Sequence, residues 1–175
     1  DVDFRWNKII IRDKVEGERT IPLTPYVSGL LRDLKRRNDT PPPEFRILHG
    51  KRIKNDIDAW KPSPWVFASK TAASGYLQEP RIAHNRALRD AGLPNITIHG
   101  LRRSFGSLSE WCEVPAGIVA QIQGHKPSAT AEKHYRVRPL DLLRMWHTKI
   151  EAWMLEQAGV TFDAEEPGKL RVVKD

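Results

Sequence analysis

The run His99-Gly100-Leu101-Arg102-Arg103-Ser104-Phe105, the turn Gln123-Gly124-His125-Lys126 and the segment Ala131-Glu132-Lys133-His134-Tyr135-Arg136 decide how this chain is read. On a helix, residues 99 and 102 are three apart and share a face. An imidazole and a guanidinium then lie side by side, a donor pair suited to a phosphate. The planar fork of Arg102 can hold two oxygens at once. Leu101 and Phe105, four apart on another face, are expected to anchor this helix in the core. Residues 115–123 read as an apolar-faced helix that ends at Gly124 and throws His125 out from its end. Tyr135 stands ten residues further on, among basic neighbours. A phenol has a pKa of about 10, so attack by its anion at neutral pH needs nearby cations. Each run taken alone has a plainer reading: a capping histidine with two surface arginines, or a helical tyrosine with a wet hydroxyl.

Towards the N-terminus, Phe4 to Ile11 is rich in β-formers, Asp13 to Glu18 supplies turn chemistry, and Arg19 to Leu23 resumes as a strand. That predicts a hairpin with Lys14 at its polar tip and, because of Pro22, an edge position for the second strand. Thr24-Pro25 predicts a helix cap and first turn. Val27, Leu30, Leu31 and Leu34 give that helix an apolar face to about residue 36. Residues 38–64, with Pro41-Pro42-Pro43, Pro62 and Pro64, read as a long connection with a short element around Ile53–Trp60. Trp65-Val66-Phe67-Ala68 is a small apolar run. Residues 79–91 read as a helix with Ile82, Leu88 and Ala91 inward, and Arg81, Arg86 and Arg89 open to solvent or phosphate. Further helices are expected at about 99–111, 115–123 and 128–135, separated by Pro115, Gly124 and Pro127. Pro139 opens a longer helix to about Ala158, stopped by Gly159, with a stripe of Leu142, Leu143, Trp146, Ile150, Trp153 and Met154. That stripe reads as core or subunit contact. The last residues, Val160 to Asp175, hold two short β-prone runs around Glu165-Glu166-Pro167-Gly168.

The composition bounds the function. The 175 residues carry 29 Lys and Arg against 22 Asp and Glu, a net charge of +7. Residues 1–150 hold 26 basic and 16 acidic side chains, residues 151–175 hold 3 and 6. A basic body points to a polyanionic partner, most simply nucleic acid, with an ordinary basic surface as the plain alternative. No run approaches the ~18 consecutive apolar residues of a membrane span, and Asp1 to Trp6 lacks the shape of a secretory signal. The single cysteine, Cys112, cannot form an internal disulfide, fits a reducing compartment and reads as a buried small hydrophobe. It also excludes a cysteine-based structural zinc site. His49, His84, His134 and His147 read as surface or core histidines; a zinc site from His99, His125 and His134 lacks a clustering acidic ligand.

Taken together, the order and spacing of His-x-x-Arg (99–102), Gly-His (124–125) and Tyr135 resemble the tyrosine recombinases of the phage integrase family. Asp1-Val2-Asp3-Phe4 is similar to the strand that follows that family's first arginine. Lys14 sits where the family carries its hairpin lysine, with Lys8 and Arg12 as rivals, and Arg19-Thr20-Ile21-Pro22-Leu23-Thr24 resembles its Arg-x-x-Pro-Leu-Thr run. The resemblance covers residues 1 to about 157. It implies a mainly α-helical (α+β) catalytic domain over residues 1–158 with a small antiparallel sheet near the N-terminus, and a tail over 159–175 exchanged between protomers.

The resemblance also implies roles. Tyr135 is the nucleophile that attacks a DNA phosphodiester and becomes a 3′-phosphotyrosine. Arg102 steadies the charge on the pentacoordinate phosphorus, and His125 donates to a non-bridging oxygen. His99 does likewise or helps to move a proton, and Lys14 is the general acid for the leaving 5′ oxygen. Arg103 and Lys126 are expected to touch backbone phosphates. No metal or cofactor is implied. The implied partners are double-stranded DNA, further protomers in a tetramer on DNA and accessory DNA-bending proteins, with no membrane; the implied location is the bacterial cytoplasm, at the nucleoid. The chain departs from the family's pattern in three ways. The first arginine is expected upstream of Asp1, with Arg5 a weak substitute on the strand, so the chain is read as truncated and impaired in cleavage. Gly100 stands where the family often has Asp. The interval from His125 to Tyr135 is one residue longer than usual, which makes His134 a decoy neighbour. Two other functions stay open on the sequence: DNA relaxation of the type IB topoisomerase kind, and a non-catalytic DNA-binding domain of the same fold.

Overall fold

A computed structural model describes residues 1–13, 17–69, 71–125 and 138–162. Strands β1 (Val2–Asp3), β2 (Lys8–Asp13) and β3 (Gly17–Pro22) form an antiparallel sheet in the order β1-β2-β3, with Ile9 opposite Ile21. Pro22 closes the edge strand, where its missing N–H costs no ladder bond. The first strand does not run through Phe4. The Asp3 carboxylate accepts the N–H groups of Arg5 and Trp6, each at 3.0 Å, and bends the chain before β2. A short acidic side chain that captures its own backbone overrides the β-propensity of the aromatic residues. Arg5 therefore lies in this turn, exposed and 5.3 Å from the Trp6 ring, and not on a strand.

Helix α1 (Pro25–Asp39) begins at Pro25, as the sequence predicts. Its cap comes from elsewhere. Glu151 accepts the N–H of Tyr26 at 2.9 Å and of Val27 at 3.2 Å, and the Thr24 hydroxyl donates to the same carboxylate instead of capping the helix itself. A carboxylate at this end satisfies orphan donors and complements the helix dipole.

The core lies among α3 (Ile98–Glu110), α4 (Ala116–Gln123) and α5 (Leu140–Gln157). Cys112, Val114, Ile118, Val119, Ile122, Leu143 and Ile150 are buried there, and Phe105, Leu142, Trp146, Trp153 and Met154 pack against them. The aromatic stripe of α5 is thus a core stripe. Leu101 is not an anchor: it is 47% exposed. The core face of α3 begins one turn later, at Phe105, and continues through buried Ser109 to Cys112.

The chain divides into two compact units, residues 1–29 with 96–175, and residues 30–95. In the second, β4 (Phe45–Leu48) and β5 (Lys51–Lys54) pair as an antiparallel ribbon, eight residues before the element expected near Ile53–Trp60. His49 (φ 49°) and Gly50 (φ 75°) make the two-residue turn, both in the left-handed region that matches strand twist. Ala68 bridges Tyr76, whose ring meets Trp65 at 4.6 Å. Helix α2 (Arg81–Asp90) has no buried residue. Ile82 is 77% exposed and Ala91 is exposed, so neither points inward as expected; Leu88 alone of the three is half-buried. Its arginines are paired, not free: Arg81 with Glu79 at 2.7 Å, Arg86 and Arg89 with Asp90 at 3.6 and 3.5 Å.

The architecture is mainly helical with a small antiparallel sheet at the N-terminal end, as the sequence predicts. Among the described residues no helix is long and apolar enough to cross a membrane. The helix expected at 128–135, the hairpin tip with Lys14, and the tail from Asp163 onward lie outside the described residues.

Candidate functional site

Helix α3 opens on Thr97, whose side-chain oxygen accepts the Gly100 N–H at 2.9 Å. That cap starts the helix just ahead of His99, so His99, Arg102 and Arg103 fall in its first two turns. A Cβ at position 100 would press on Ile96 and on the capping Thr97 oxygen, both at 3.2 Å, which gives a local reason for glycine there. Helix α4 ends in a Schellman turn. Gly124 takes φ 70°, its N–H donates to the Gln121 carbonyl at 3.0 Å, and the His125 N–H donates to the Ala120 carbonyl at 2.8 Å. The turn fixes the backbone of His125 while leaving the residue exposed.

The two helices are locked where the site lies. Arg102 Nη2 donates to the Gln123 carbonyl at 2.5 Å, and Gln123 Nε2 donates back to the Arg102 carbonyl at 2.6 Å. From the sheet, Arg19 Nη1 donates to the Ile122 carbonyl at 2.8 Å. Two guanidinium groups thus cap successive carbonyls at the C-terminus of α4, the end where the helix dipole favours cations. The Arg19 guanidinium lies 2.5–2.7 Å from where a Cβ on Gly124 would stand, so this turn needs glycine for space as well as for φ. Arg19 Nε is buried and has no hydrogen-bond partner among the described residues.

A groove of about 570 Å³ opens over this junction and is lined by His99, Arg102, Arg103, Gln123 and His125, with Glu110 its one carboxylate among the described residues. The sequence had set these four cationic or imidazole side chains on two separate runs; they share one groove. Such a surface can present several N–H donors to a single tetrahedral anion. Lys14, Lys126 and Tyr135 lie outside the described residues. The two rivals of Lys14 are engaged with carboxylates: Lys8 with Asp3 at 3.8 Å and Arg12 with Asp1 at 3.1 Å.

Arg19 and Gln123 are the residues that sequence reasoning passed over. The signal for Arg19 was its register: it shares an inward strand position with Ile21, so its guanidinium is directed to the interior. His147 does not join the groove. It is half-buried with its ring edge-on to Phe105 at 5.8 Å. Burial pushes its pKa below the ordinary value, against the opposing pull of the Pro22 carbonyl and of Glu151. Cys112 is buried as expected, and burial pushes its thiol pKa up. Among the described residues no group of three or more His, Cys, Asp or Glu is arranged to hold a metal ion.

The family model described as phage integrase family matches residues 1–139, and the chain belongs to that family. It is 57% identical over 161 residues to the prophage integrase IntF of Escherichia coli strain K12. The match covers 92% of this chain and 30% of that relative, so the chain spans less than a third of the relative's length. No solved structure matches the chain significantly.

Proposed function

We propose that the chain is the catalytic part of a tyrosine-type, site-specific DNA recombinase that cuts and rejoins strands through a 3′-phosphotyrosyl link. The observation that carries this reading is the shared groove of His99, Arg102 and His125, built by two interlocked helix ends in a chain of the integrase family. The oxygen of Tyr135 attacks phosphorus, forming a new P–O bond as the bond to the 5′ oxygen breaks. Lys14 gives its proton to that leaving oxygen. Arg102 and His125 donate to the non-bridging oxygens, where charge grows in the transition state; His99 adds a further donor or takes the phenol proton. A positioned general acid contributes about 10²–10⁴-fold, and each preorganised donor about 10²–10³-fold. The link conserves the phosphodiester's bond energy, so a 5′ hydroxyl from another strand can reverse the step without a nucleotide cofactor. Arg103 and Lys126 contact backbone phosphates, which position the duplex without reading its sequence.

Residues 1–158 act in this reading as the catalytic domain and 159–175 as a tail passed to a neighbouring protomer within a tetramer on DNA, in the bacterial cytoplasm. The prophage relative favours strand exchange over simple relaxation.

The test is covalent capture on a nicked suicide duplex, with the chain both alone and joined to the remaining portion of the E. coli relative. A protein–DNA adduct is expected, abolished by Tyr135→Phe and slowed about 10²–10³-fold by Arg102→Ala. Absence of any adduct from the joined protein leaves only a DNA-binding domain. An adduct accompanied by plasmid relaxation without strand exchange assigns the topoisomerase activity instead.

A further inference from the structure

The strongest charge asymmetry of the molecule lies in residues 30–95. Residues 30–95 hold 13 Lys and Arg against 7 Asp and Glu, whereas the rest of the chain holds 16 against 15. Within residues 30–95, the β4–β5 ribbon holds four cations and no carboxylate of its own: Arg46, Lys51, Arg52 and Lys54, all exposed.

Their placement follows from the register. Arg46 pairs with Ile53 and Leu48 with Lys51, so Arg46 and Lys51 share one face; Phe45 pairs with Lys54 and Ile47 with Arg52, so Arg52 and Lys54 share the other. The ribbon therefore carries two cations on each face. Its tip is apolar and bare: Ile47 is 72% exposed and Leu48 44%, on either side of the tight His49-Gly50 turn. The base is pinned, with the Asn55 N–H donating to the Glu44 carbonyl at 2.8 Å and Asn55 Nδ2 to the Pro43 carbonyl at 2.7 Å. Arg52 lies 3.8 Å from the centre of the Phe45 ring, and Lys54 reaches Glu44 at 4.0 Å. Arg46 and Lys51 have no ion-pair partner among the described residues. Only Phe45 and Ile53 of the two strands are half-buried, so the ribbon gains little from packing against the rest of its unit.

We propose that the β4–β5 ribbon is a second DNA-contacting element, entering a groove of the duplex tip-first so that its two cationic faces meet the phosphates of both walls. This rests on the reading of the chain as a DNA recombinase. An acidic protein surface would ask for one charged face; cations on both faces ask for negative charge on both sides. The major groove, about 12 Å wide, admits a two-stranded ribbon. In such a pose the apolar tip meets base edges and the cations displace counterions from the backbone.

The experiment measures anisotropy of a fluorescein-labelled duplex across a potassium chloride series, with the 175-residue chain. Arg46→Gln combined with Lys51→Gln is expected to weaken binding roughly tenfold at low salt and to flatten the log–log salt slope by about 2, one unit per phosphate released. A control of equal charge change, Arg86→Gln with Arg89→Gln on α2, is expected to move the slope by less than half as much. An unchanged slope in the ribbon variant, or an equal drop in the control, overturns the ribbon contact. So does polyglutamate competing as well as duplex at equal charge, which assigns an acidic protein instead. Covalent capture by the wild-type protein, scored separately, tells the two readings apart: adduct formation with an unchanged ribbon slope removes the ribbon alone, and no duplex binding at all removes both.

Discussion

Residues 1–29 and 96–175 contain every buried apolar side chain described, from Pro22 to Ile150, and are close to electrically balanced; residues 30–95 contain no buried residue among those described and carry a net charge of +6. In the proposed reading the difference separates two physical tasks. Holding Arg102 and His125 in a fixed relation takes interlocked helix ends on a packed core, because a donor displaced from its anion loses most of its effect. Attracting a polyanion takes exposed charge, and exposed charge tolerates a loosely packed support.

The contrast can be broken most directly through the core. Ile150→Ala is expected to lower unfolding stability by about 2–5 kcal/mol, whereas Ile82→Ala should stay within about 0.5 kcal/mol. Urea titrations of both variants measure this, and similar losses would erase the distinction. Gly124→Ala comes next, with an expected loss of about 1–3 kcal/mol from the left-handed backbone and the collision with Arg19. In an Arg19→Ala background the loss should shrink, since only the backbone strain is left. A double-mutant cycle reads the coupling, and equal losses in both backgrounds would show that Arg19 does not crowd the turn. The smallest effect is expected from His147. Its pKa is pushed below the ordinary 6.5 by burial, so below that value the unfolded chain binds a proton that the folded chain resists. Stability is therefore full above the unfolded pKa and falls as the pH drops through it. His147→Phe should flatten the change in urea midpoint between about pH 7.5 and about pH 5.5.

Much of the balanced region was legible in sequence. The caps and stops at Pro25, Pro115, Gly124, Pro139 and Gly159 place the start of α1 and both ends of α4 and α5 within a residue or two, because proline and glycine act locally; α1, with no such stop, runs to Asp39 and not to about residue 36. His99, Arg102 and His125 could be assigned to one site from spacing and resemblance, and they do line one groove. What escaped was set by partners distant in the chain. Glu151 caps a helix that starts 126 residues earlier, at Pro25, and leaves no local pattern; Arg19 caps a carbonyl 103 residues later, and strand alternation marks its inward direction but not its partner. In the charged region the reading was weaker. Phe45-Arg46-Ile47-Leu48 has no clean alternation, and its hairpin turn uses histidine where asparagine or aspartate is the stronger signal. Periodicity places Ile82 inward, yet a short helix with so little to pack against leaves its isoleucine in water.

The reach of α5 back to the start of the chain has a consequence for biosynthesis. Arg144 donates to the carbonyls of Asn7 and Trp6, and Glu151 supplies the peptide N–H groups that open α1 with their acceptor. On a ribosome residues 6–27 emerge well before residues 144–151, so the opening turn of α1 lacks this acceptor until α5 has been made. A message cut short before residue 144 would then yield a product in which the Asn7 and Trp6 carbonyls and the opening turn of α1 all lack these partners.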